Sequence, residues 1–577
     1  MPAQTTAANP IAIYGAVVER TRRAGNATEH TYRPALKALL EALRPNATAT
    51  NEPKRIACGA PDFVVSCDTN HGPLTIGYVE AKDIGASLGE IERSAQLRRY
   101  LPALHNLVLT NHIEFRWYVL GTLRMTAHLT THSESKSKSP DTERKGGHSV
   151  EDLLRAFLAN RTEPVRSPRD LAERMARLTR LIHAIMVEAF IAGAVSTTLR
   201  DLRKAFEDVL IPDLTENEFA DMFAQTLAYG LFAARVNHTG ATPFSRRDAI
   251  REIPKTNPFL RWLFGIVTGP DLDDEPFVGL VDDLAQLLAD TDMATVLAHF
   301  GERTRQEDPV VHFYETFLAA YDPKLKKARG VYYTPEPVVT YIVRSVDQML
   351  KNRFGCTEGL ADTTQITKVP RSSQVGSQSV PVHRVMILDP ACGTGTFLYR
   401  IVDDIRQQFQ QRDDAGMWSG YVRRHLLPRL FGFELLMAPY AVAHLKLGLE
   451  LAAHDLPEAV RNDWAYTFSG DERLGIYLTN SLEAALKRSE LLFGYHISEE
   501  ANAAADIKRD MPVLVVLGNP PYSGHSANKG EWISALVRDY YQVDGLGLTE
   551  RNPKWLQDDY VKFLRFGQWR IEQTGAG

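Results

Sequence analysis

The chain has 577 residues, of which 44% are hydrophobic and 24% are charged, and its formal net charge is −5 at pH 7. A chain of this length is too long for one hydrophobic core, so we expect roughly three domains. The sequence has no long apolar run and no secretory signal, which predicts a cytoplasmic protein without a membrane-spanning helix. The four cysteines show no CxxC spacing, which argues against a zinc site, and the negative charge means that any case for nucleic-acid binding must come from motifs.

Residues 1–130 combine one helical pattern with four strand patterns. Residues 29–43 place four leucines on one helical face, namely Leu36, Leu39, Leu40 and Leu43. Two apolar runs, DFVVSCD and LTIGYVEAK, flank the turn-rich segment TNHGP and predict a β-hairpin. The segments LHNLVLTN and EFRWYVLG predict two further strands.

The two hairpin strands carry acidic and basic side chains at one end. Asp62 begins the first strand, while Glu80 and Lys82 end the second, where the two-residue period of a strand places both on the same side. Asp62 and Glu80 would ligate Mg²⁺ through carboxylate oxygens, and Lys82 would orient or help deprotonate an attacking water. This pattern is the PD-(D/E)xK arrangement. The alternative is an ordinary surface pair of acid and lysine.

The middle of the chain is predicted to be helical. Residues 132–149 are polar and charged, which is typical of a linker or mobile loop. In residues 150–325, Ser167 before Pro168 indicates a helix start, and TENE at 215–218 is a capping box before another helix. A helical stripe follows the first of these starts and comprises Leu171, Met175, Leu178, Ile182 and Ile185. We interpret this region as a helical spacer or scaffold without chemistry of its own.

From residue 326 onward, short apolar strands alternate with helical patterns. VMIL at 385–388, LFGFE ending at Glu434, and VLVVLG at 513–518 are the predicted strands. Alternation of this kind favours a parallel, doubly wound sheet, whose ligands bind at the carboxyl ends of the strands. The sequence motifs of this half of the chain follow directly after these strands.

The segment DPACGTGTF at 389–397 lies between a strand and a helix. Gly393 and Gly395 allow the backbone to approach a ligand closely at this turn. The third glycine of a dinucleotide motif is replaced by Leu398, so the turn favours S-adenosylmethionine over a pyrophosphate ligand. Glu434, at the end of the next strand, is placed to accept hydrogen bonds from two ribose hydroxyls, the alternative being a surface glutamate.

The tetrapeptide NPPY at 519–522 follows the last predicted strand. An exocyclic amine is a poor nucleophile because its lone pair is delocalised into the ring. The amide oxygen of Asn519 and a carbonyl of the rigid Pro520–Pro521 backbone can accept its N–H bonds and hold the lone pair towards a methyl donor. Tyr522 offers a flat face for a base turned out of the helix. An ordinary proline-rich turn is the alternative.

Together with GVYYTPEPVV at 330–339, these motifs resemble the amino-group DNA methyltransferases, and Asn519 resembles the adenine-N6 enzymes of this motif order. The resemblance implies S-adenosylmethionine as cofactor and double-stranded DNA with one flipped adenine as partner. It assigns cofactor contacts to Tyr333, Thr334, Pro335, Asp389, Ala391, Gly393, Gly395, Phe397, Glu434 and, as a further match, Asn480. A protein glutamine methyltransferase is the runner-up, but those enzymes lack the upstream GVYYTP segment.

The N-terminal stretch GAPDFVV…GYVEAKDIG…QLRRY resembles the nuclease of type ISP restriction–modification enzymes. In similar nucleases, the positions of Glu29 and Gln96 supply further site residues beside the Mg²⁺ ligands Asp62 and Glu80. No GxxxxGK(S/T) phosphate loop occurs, so the order nuclease, spacer and methyltransferase is more similar to a single-chain type IIG enzyme without ATP-driven translocation.

The sequence thus predicts an α/β multidomain protein of four segments. A PD-(D/E)xK nuclease fold covers 1–131, a linker 132–149, a helical spacer 150–325, and a Rossmann-like S-adenosylmethionine-dependent methyltransferase 326–577. The resulting hypothesis is a restriction–modification enzyme that methylates adenine N6 and cleaves unmodified DNA with Mg²⁺, in defence against phage.

Because few residues follow NPPY, we also expect a truncated or split chain that lacks its target-recognition domain and works with a separate specificity part. An inactive remnant that binds DNA or cofactor is the alternative.

Overall fold

The computed structural model describes most of the chain. The described ranges are 9–25, 28–51, 59–69, 72–129, 148–160, 164–238, 240, 243–254, 256–267, 269–302, 309–322, 334–368, 380–454, 456–469, 472–484, 494–522, 526, 528–549 and 553–577. Most of the predicted linker 132–149, and Tyr333, lie outside these residues. Within them, no helix combines the length and the apolar character needed to cross a bilayer.

The N-terminal part of the chain forms a mixed sheet of six strands, here called the first sheet. Its strands are β1 (Ala47–Thr50), β2 (Phe63–Thr69), β3 (Gly72–Ala81), β4 (Asn106–Thr110), β5 (Glu114–Val119) and β6 (Thr122–His128), paired in that order. Only β3 and β4 run parallel, and the other neighbours are antiparallel. The four predicted strands are present. The outer strands β1 and β6 were not predicted. ATAT has only small side chains, whereas the alternation of polar and apolar residues in TLRMTAH is a signal that could have located β6.

Helices cover this sheet. They are α1 (Pro10–Ala24), α2 (Glu29–Leu43), α3 (Ala95–Ala103) and α4 (Val150–Ala159), with a short turn at Leu88–Ile91. The four leucines predicted on one face of α2 are all buried and share one hydrophobic cluster with Phe63, Val65, Val79 and Ala81 of the hairpin strands. This packing fixes the end of the hairpin that carries the predicted acidic residues.

The middle of the chain is helical, as predicted. Its helices are α5 (Pro168–Ile191), α6 (Thr197–Val209), α7 (Glu216–Asn237), α8 (Pro258–Val267), α9 (Val278–Ala289), α10 (Met293–Glu302) and α11 (Pro309–Tyr321), with short turns at Ala249–Glu252 and Pro270–Asp273. The capping box at 215–218 is formed, and the predicted apolar stripe of α5 is buried. Ser167 occupies the cap position of α5, but its side chain makes no capping hydrogen bond.

This helical region packs against both neighbours rather than acting as a loose spacer. Arg99 Nη1 of α3 lies 2.9 Å from Glu188 Oε1 of α5. Tyr78 of β3 donates a hydrogen bond to the buried carboxylate of Asp283 on α9. Buried apolar residues of all three parts join one continuous cluster. The region is therefore a scaffold that holds the two sheets.

The C-terminal part contains a parallel sheet of four strands, here called the second sheet, in the order β11-β10-β9-β12. Its strands are β9 (Met386–Asp389), β10 (Leu430–Glu434), β11 (Ile476–Leu478) and β12 (Val513–Val516). Two small hairpins accompany it, formed by β7 (Gln365–Lys368) with β8 (Val380–His383), and by β13 (Gln542–Val543) with β14 (Leu546–Gly547). The three predicted strands are confirmed. Strand β11 is too short to give a sequence signal.

Helices lie on both faces of the second sheet. They are α12 (Glu336–Phe354), α13 (Thr396–Gln411), α14 (Ala415–Tyr421), α15 (Met437–Leu451), α16 (Glu458–Trp464), α17 (Gly494–Arg509), α18 (Glu531–Val537) and α19 (Asp559–Thr574). Successive residues of β9 alternate between two hydrophobic clusters, Ile387 facing α13 and α15 and Leu388 facing α17, α18 and α19. A parallel sheet covered on both faces confirms the doubly wound arrangement.

Candidate functional sites

The glycine turn and the NPPY tetrapeptide lie at the same edge of the second sheet. Strands β9 and β12 are adjacent and parallel, and the amide of Leu517 donates to the carbonyl oxygen of Leu388 at 3.1 Å. A Cβ atom on Gly518 would collide with the carboxylate of Asp389. The two motifs therefore leave their strands side by side, at the carboxyl ends where parallel sheets bind ligands.

The two glycines of the turn have different roles. Both have positive φ angles, +55° at Gly393 and +77° at Gly395, which favours glycine. A Cβ atom on Gly395 would lie 3.1 Å from Leu447 and 3.2 Å from Ala443, so this glycine allows α13 to pack against α15. A Cβ atom on Gly393 would meet nothing within 4 Å. Gly393 thus faces open space at the predicted cofactor site.

Glu434 ends β10 and already accepts three backbone hydrogen bonds. Gly393 donates to its Oε2 at 2.9 Å, and Leu435 and Leu436 donate to its Oε1 at 2.9 and 2.8 Å. Burial raises the pKa of Glu434, whereas these N–H bonds favour the ionised form. Because two carboxylate oxygens offer about four lone-pair directions, little capacity is left for ribose hydroxyls. Its direct effect in this structure is to fix the glycine turn.

Asp389 is the acidic group with unused bonding capacity at this edge. Its Oδ1 accepts from Ala391 N at 3.1 Å, while its Oδ2 is buried and has no hydrogen-bond partner among the described residues. Burial, aided by the charge of Glu434, raises the pKa of Asp389 to about 8. A buried orphan oxygen beside an open glycine turn fits S-adenosylmethionine, whose ammonium and sulfonium groups are cationic. Phe397, by contrast, lies in the hydrophobic core with an exposed fraction of 3%.

The side chains of the NPPY tetrapeptide are joined to the segment 334–335 before α12. Asn519 Nδ2 donates to Thr334 Oγ1 at 3.0 Å, and Tyr522 OH donates to Asn519 Oδ1 at 3.1 Å. Pro335 is exposed and occupies the cap position of α12, whose first turn contains Pro337. The structure thus brings together two segments that the sequence separates by 185 positions.

Asn480 follows β11 and contacts Asn528, which lies in the segment after NPPY. Its Oδ1 accepts from Leu482 N at 3.0 Å, and its Nδ2 donates to Asn528 Oδ1 at 2.9 Å. The buried Lys508 Nζ donates to the carbonyl oxygen of Asn480 at 2.6 Å and to Thr479 Oγ1 at 3.2 Å. Burial lowers the pKa of Lys508 to about 7. Neither Lys508 nor Asn528 carries a local sequence signal, and both were missed.

The second site lies at one end of the first sheet and contains the predicted Asp62, Glu80 and Lys82. The antiparallel register pairs Phe63 with Val79, so the next pair of residues along the two strands is Asp62 opposite Glu80. Asp62 Oδ2 accepts from Ala81 N at 2.7 Å. Lys82 Nζ lies 2.5 Å from Glu80 Oε1, which agrees with the prediction that Glu80 and Lys82 share one side of the strand. The structure therefore brings these three side chains together.

The electrostatics of this site are those of two buried, neighbouring carboxylates. Burial and the charge of Asp62 raise the pKa of Glu80 to about 7, against the opposing effect of Lys82. Glu80 Oε2 is buried and has no hydrogen-bond partner among the described residues. No cluster of three or more potential protein ligands for a metal occurs within the described ranges. Mg²⁺ is commonly bound by one or two carboxylates and several waters. Glu80 Oε2 fits that requirement, whereas both oxygens of Asp62 already accept hydrogen bonds, from Arg33 and from Ala81.

Three further residues surround this pair. Arg33 Nη2 on α2 lies 2.5 Å from Asp62 Oδ1, and both side chains are buried. This ion pair was missed because an arginine on an amphipathic helix gives no local signal. Gln96 Nε2 donates to Tyr100 OH at 3.0 Å, and burial together with the charge of Glu80 raises the pKa of Tyr100. Gln96 thus reaches the site through Tyr100, while the side chain of Glu29 lies outside the described residues.

Comparison with known proteins finds a family model and solved structures that are similar to this chain. No curated protein matches the chain. Similar solved structures include a DrdV–DNA complex, with 20% sequence identity and a TM-score of 0.44. The match covers 98% of this chain and 49% of the DrdV chain. A nuclease-deletion mutant of the type ISP restriction-modification enzyme LlaGI with a DNA substrate mimic is also similar, with 16% sequence identity and a TM-score of 0.46. This match covers 73% of this chain and 30% of the LlaGI chain. The type IIL restriction-modification enzyme MmeI in complex with DNA is similar as well, with 14% sequence identity and a TM-score of 0.34. That match covers 71% of this chain and 49% of the MmeI chain.

The chain therefore spans about half the length of the DrdV chain that it resembles. Residues 305–540 match the family model described as N-6 DNA Methylase, and this match includes both the glycine turn and NPPY. The chain thus contains an N-6 DNA methylase domain.

Proposed function

We propose that this chain is a restriction–modification enzyme that methylates adenine N6 in double-stranded DNA with S-adenosylmethionine and cleaves unmodified DNA with Mg²⁺. The observation that carries the methylation half is that Asn519 and Tyr522 and the glycine turn follow two adjacent parallel strands, β12 and β9. The match to the N-6 DNA Methylase model supports DNA adenine over a protein glutamine as the substrate.

At the NPPY tetrapeptide, the chain binds and orients the target amine. Asn519 Nδ2 is held by Thr334, so its Oδ1 points to a fixed position. In this structure Tyr522 OH donates to that oxygen, and the N–H of a flipped adenine would replace it. Accepting the N–H bonds of the amine at Asn519 and at a proline carbonyl directs the nitrogen lone pair away from the ring. Tyr522 would stack on the base.

At the glycine turn, the chain binds the cofactor. Asp389 would pair with a cationic group through its orphan oxygen, and Gly393 would leave room for the ligand. Glu434 holds the turn, and Asn480 lines the loop after β11. When bound, S-adenosylmethionine supplies a methyl group activated by its positive sulfur.

Methylation can be tested by tritium transfer from labelled S-adenosylmethionine to genomic DNA from a methylation-deficient host. We expect Asn519→Ala to reduce transfer by about a hundredfold or more, because one preorganised acceptor is lost. The exposed Asn462→Ala variant is the matched control and should keep wild-type transfer. Equal transfer by Asn519→Ala and wild type would contradict the proposal.

The cleavage half is supported by the buried Asp62–Glu80 pair with Lys82. Asp62 and Glu80 would hold Mg²⁺, and Lys82 would orient the water that attacks the phosphate. Glu29 and Gln96 would complete the site, Gln96 through Tyr100. Asp62→Ala and Lys82→Ala should each abolish Mg²⁺-dependent cleavage of unmethylated DNA and leave methyl transfer intact. Cleavage retained by both variants would refute this assignment.

A further inference from the structure

Two exposed aromatic rings stack next to the NPPY tetrapeptide. The rings of Tyr522 and Tyr560 have centroids 5.7 Å apart and planes inclined by 25°. Tyr560 lies in the first turn of α19, and the exposed fractions of the two side chains are 54% for Tyr522 and 40% for Tyr560. Because Tyr560 covers one face of Tyr522, a planar ligand of Tyr522 has the opposite face for stacking.

Buried polar contacts anchor the first turn of α19 to the loop after Tyr522. Lys562 Nζ donates to Ser526 Oγ at 2.7 Å and to the carbonyl oxygen of Asn528 at 2.5 Å. Asp559 Oδ1 accepts from Ser526 Oγ at 2.5 Å and from Asn528 Nδ2 at 3.0 Å. Lys562 is 1% exposed and Asp559 8% exposed. Tyr560 lies between Asp559 and Lys562 in the sequence and is therefore presented from a fixed turn.

The same contacts reach the loop that carries Asn480. Asn528 Oδ1 accepts from Asn480 Nδ2 at 2.9 Å, so the loop after NPPY is tied to α19 on one side and to the strand end of β11 on the other. Tyr522 itself is held at its hydroxyl by Asn519 and at its ring by Tyr560. When an incoming amine replaces the hydroxyl at Asn519, the contact with Tyr560 remains.

We propose that Tyr560 is a positioning residue for base binding, which holds the ring of Tyr522 from behind so that its opposite face receives the flipped adenine. This inference rests on the proposed DNA methylation. Stacked aromatic pairs with centroids 4.5–7 Å apart are stabilised beyond their buried area. A ring already held in its binding orientation loses less conformational freedom when the base arrives, which strengthens binding. Tyr560 would act through Tyr522 rather than touch the base.

The test measures base stacking directly, with a single-stranded oligonucleotide that contains 2-aminopurine, whose fluorescence is quenched when it stacks on tyrosine. Tyr560→Leu should weaken the quenching interaction by about fivefold, the factor expected from one lost aromatic pair. Tyr560→Phe should bind like wild type, because the ring is retained. Tyr495→Leu, an exposed tyrosine on α17 outside these contacts, is the matched control. S-adenosylmethionine affinity, measured by calorimetry, should be equal in all four proteins.

Each outcome decides between the alternatives. Equal quenching by Tyr560→Leu and wild type would overturn this inference and leave the proposed methylation standing. A Phe variant as weak as the Leu variant would overturn it too, and loss of cofactor affinity in Tyr560→Leu would show a merely structural role. A wild-type protein that neither quenches 2-aminopurine nor transfers methyl groups would refute the proposed function itself.

Discussion

Replacing Asp389 by asparagine is expected to stabilise the second sheet in a pH-dependent way. Burial raises the pKa of Asp389 from 3.8 to about 8, so the folded protein binds a proton that the unfolded chain releases at neutral pH. For a carboxyl group with a raised folded pKa, stability is highest below the unfolded pKa and falls as the pH rises towards the folded pKa. The asparagine variant lacks this dependence because its amide does not titrate.

The size of this pH dependence follows from the one proton that the folded protein binds at Asp389 and the unfolded chain does not. One proton corresponds to about 1.4 kcal/mol per pH unit between the two pKa values, hence to about 3 kcal/mol between pH 5.5 and 7.5. The difference in opening free energy between Asp389→Asn and wild type should grow by this amount over that interval. Above pH 8 the difference should stay constant.

Hydrogen exchange followed by mass spectrometry on peptides that cover 386–389 is the appropriate assay, because a chain with several domains does not unfold in two states. Exchange rates are corrected for their intrinsic pH dependence before opening free energies are compared. Asn462→Ala, an exposed change without a titrating group, serves as the control. Parallel pH profiles for Asp389→Asn and wild type would show that Asp389 is ionised throughout, and the reasoning from its burial would be wrong.

Three further changes have expected results. Arg33→Ala should lower the opening free energy of the first sheet by about 3–5 kcal/mol, because it leaves the buried Asp62 without this cation. Adding Asp62→Asn should restore much of that loss, as measured by hydrogen exchange of peptides from β2 and β3. Gly395→Ala should lower the melting temperature more than Gly393→Ala, since only the former adds a close contact with α15 to the strain of a positive φ. Lys508→Met should weaken S-adenosylmethionine binding by about tenfold in calorimetry, because the loop after β11 loses about one to two hydrogen bonds.

The sequence was sufficient to predict the structure wherever a local pattern of residues governs the backbone. The alternation of VMIL, LFGFE and VLVVLG with helices predicted the parallel sheet, and motifs that directly follow adjacent parallel strands must meet at one edge. The two-residue strand period placed Glu80 and Lys82 on one side, and their side chains are in contact. Strand β11 escaped prediction because three residues are too few to show a period.

The tertiary structure decided which polar side chains meet and how deeply they are buried. Asn519 contacts Thr334, Asp62 contacts Arg33, and Tyr522 stacks on Tyr560, although none of these pairs shares a local pattern. The helical region, interpreted as a spacer or scaffold, shares one continuous core with both sheets. Periodicity and turn chemistry act within about one helical turn or one strand, whereas hydrogen-bond partners and desolvation depend on elements brought together by packing. The sequence therefore determined the motifs and their supporting strands, and only the fold determined the partners and pKa values of their side chains.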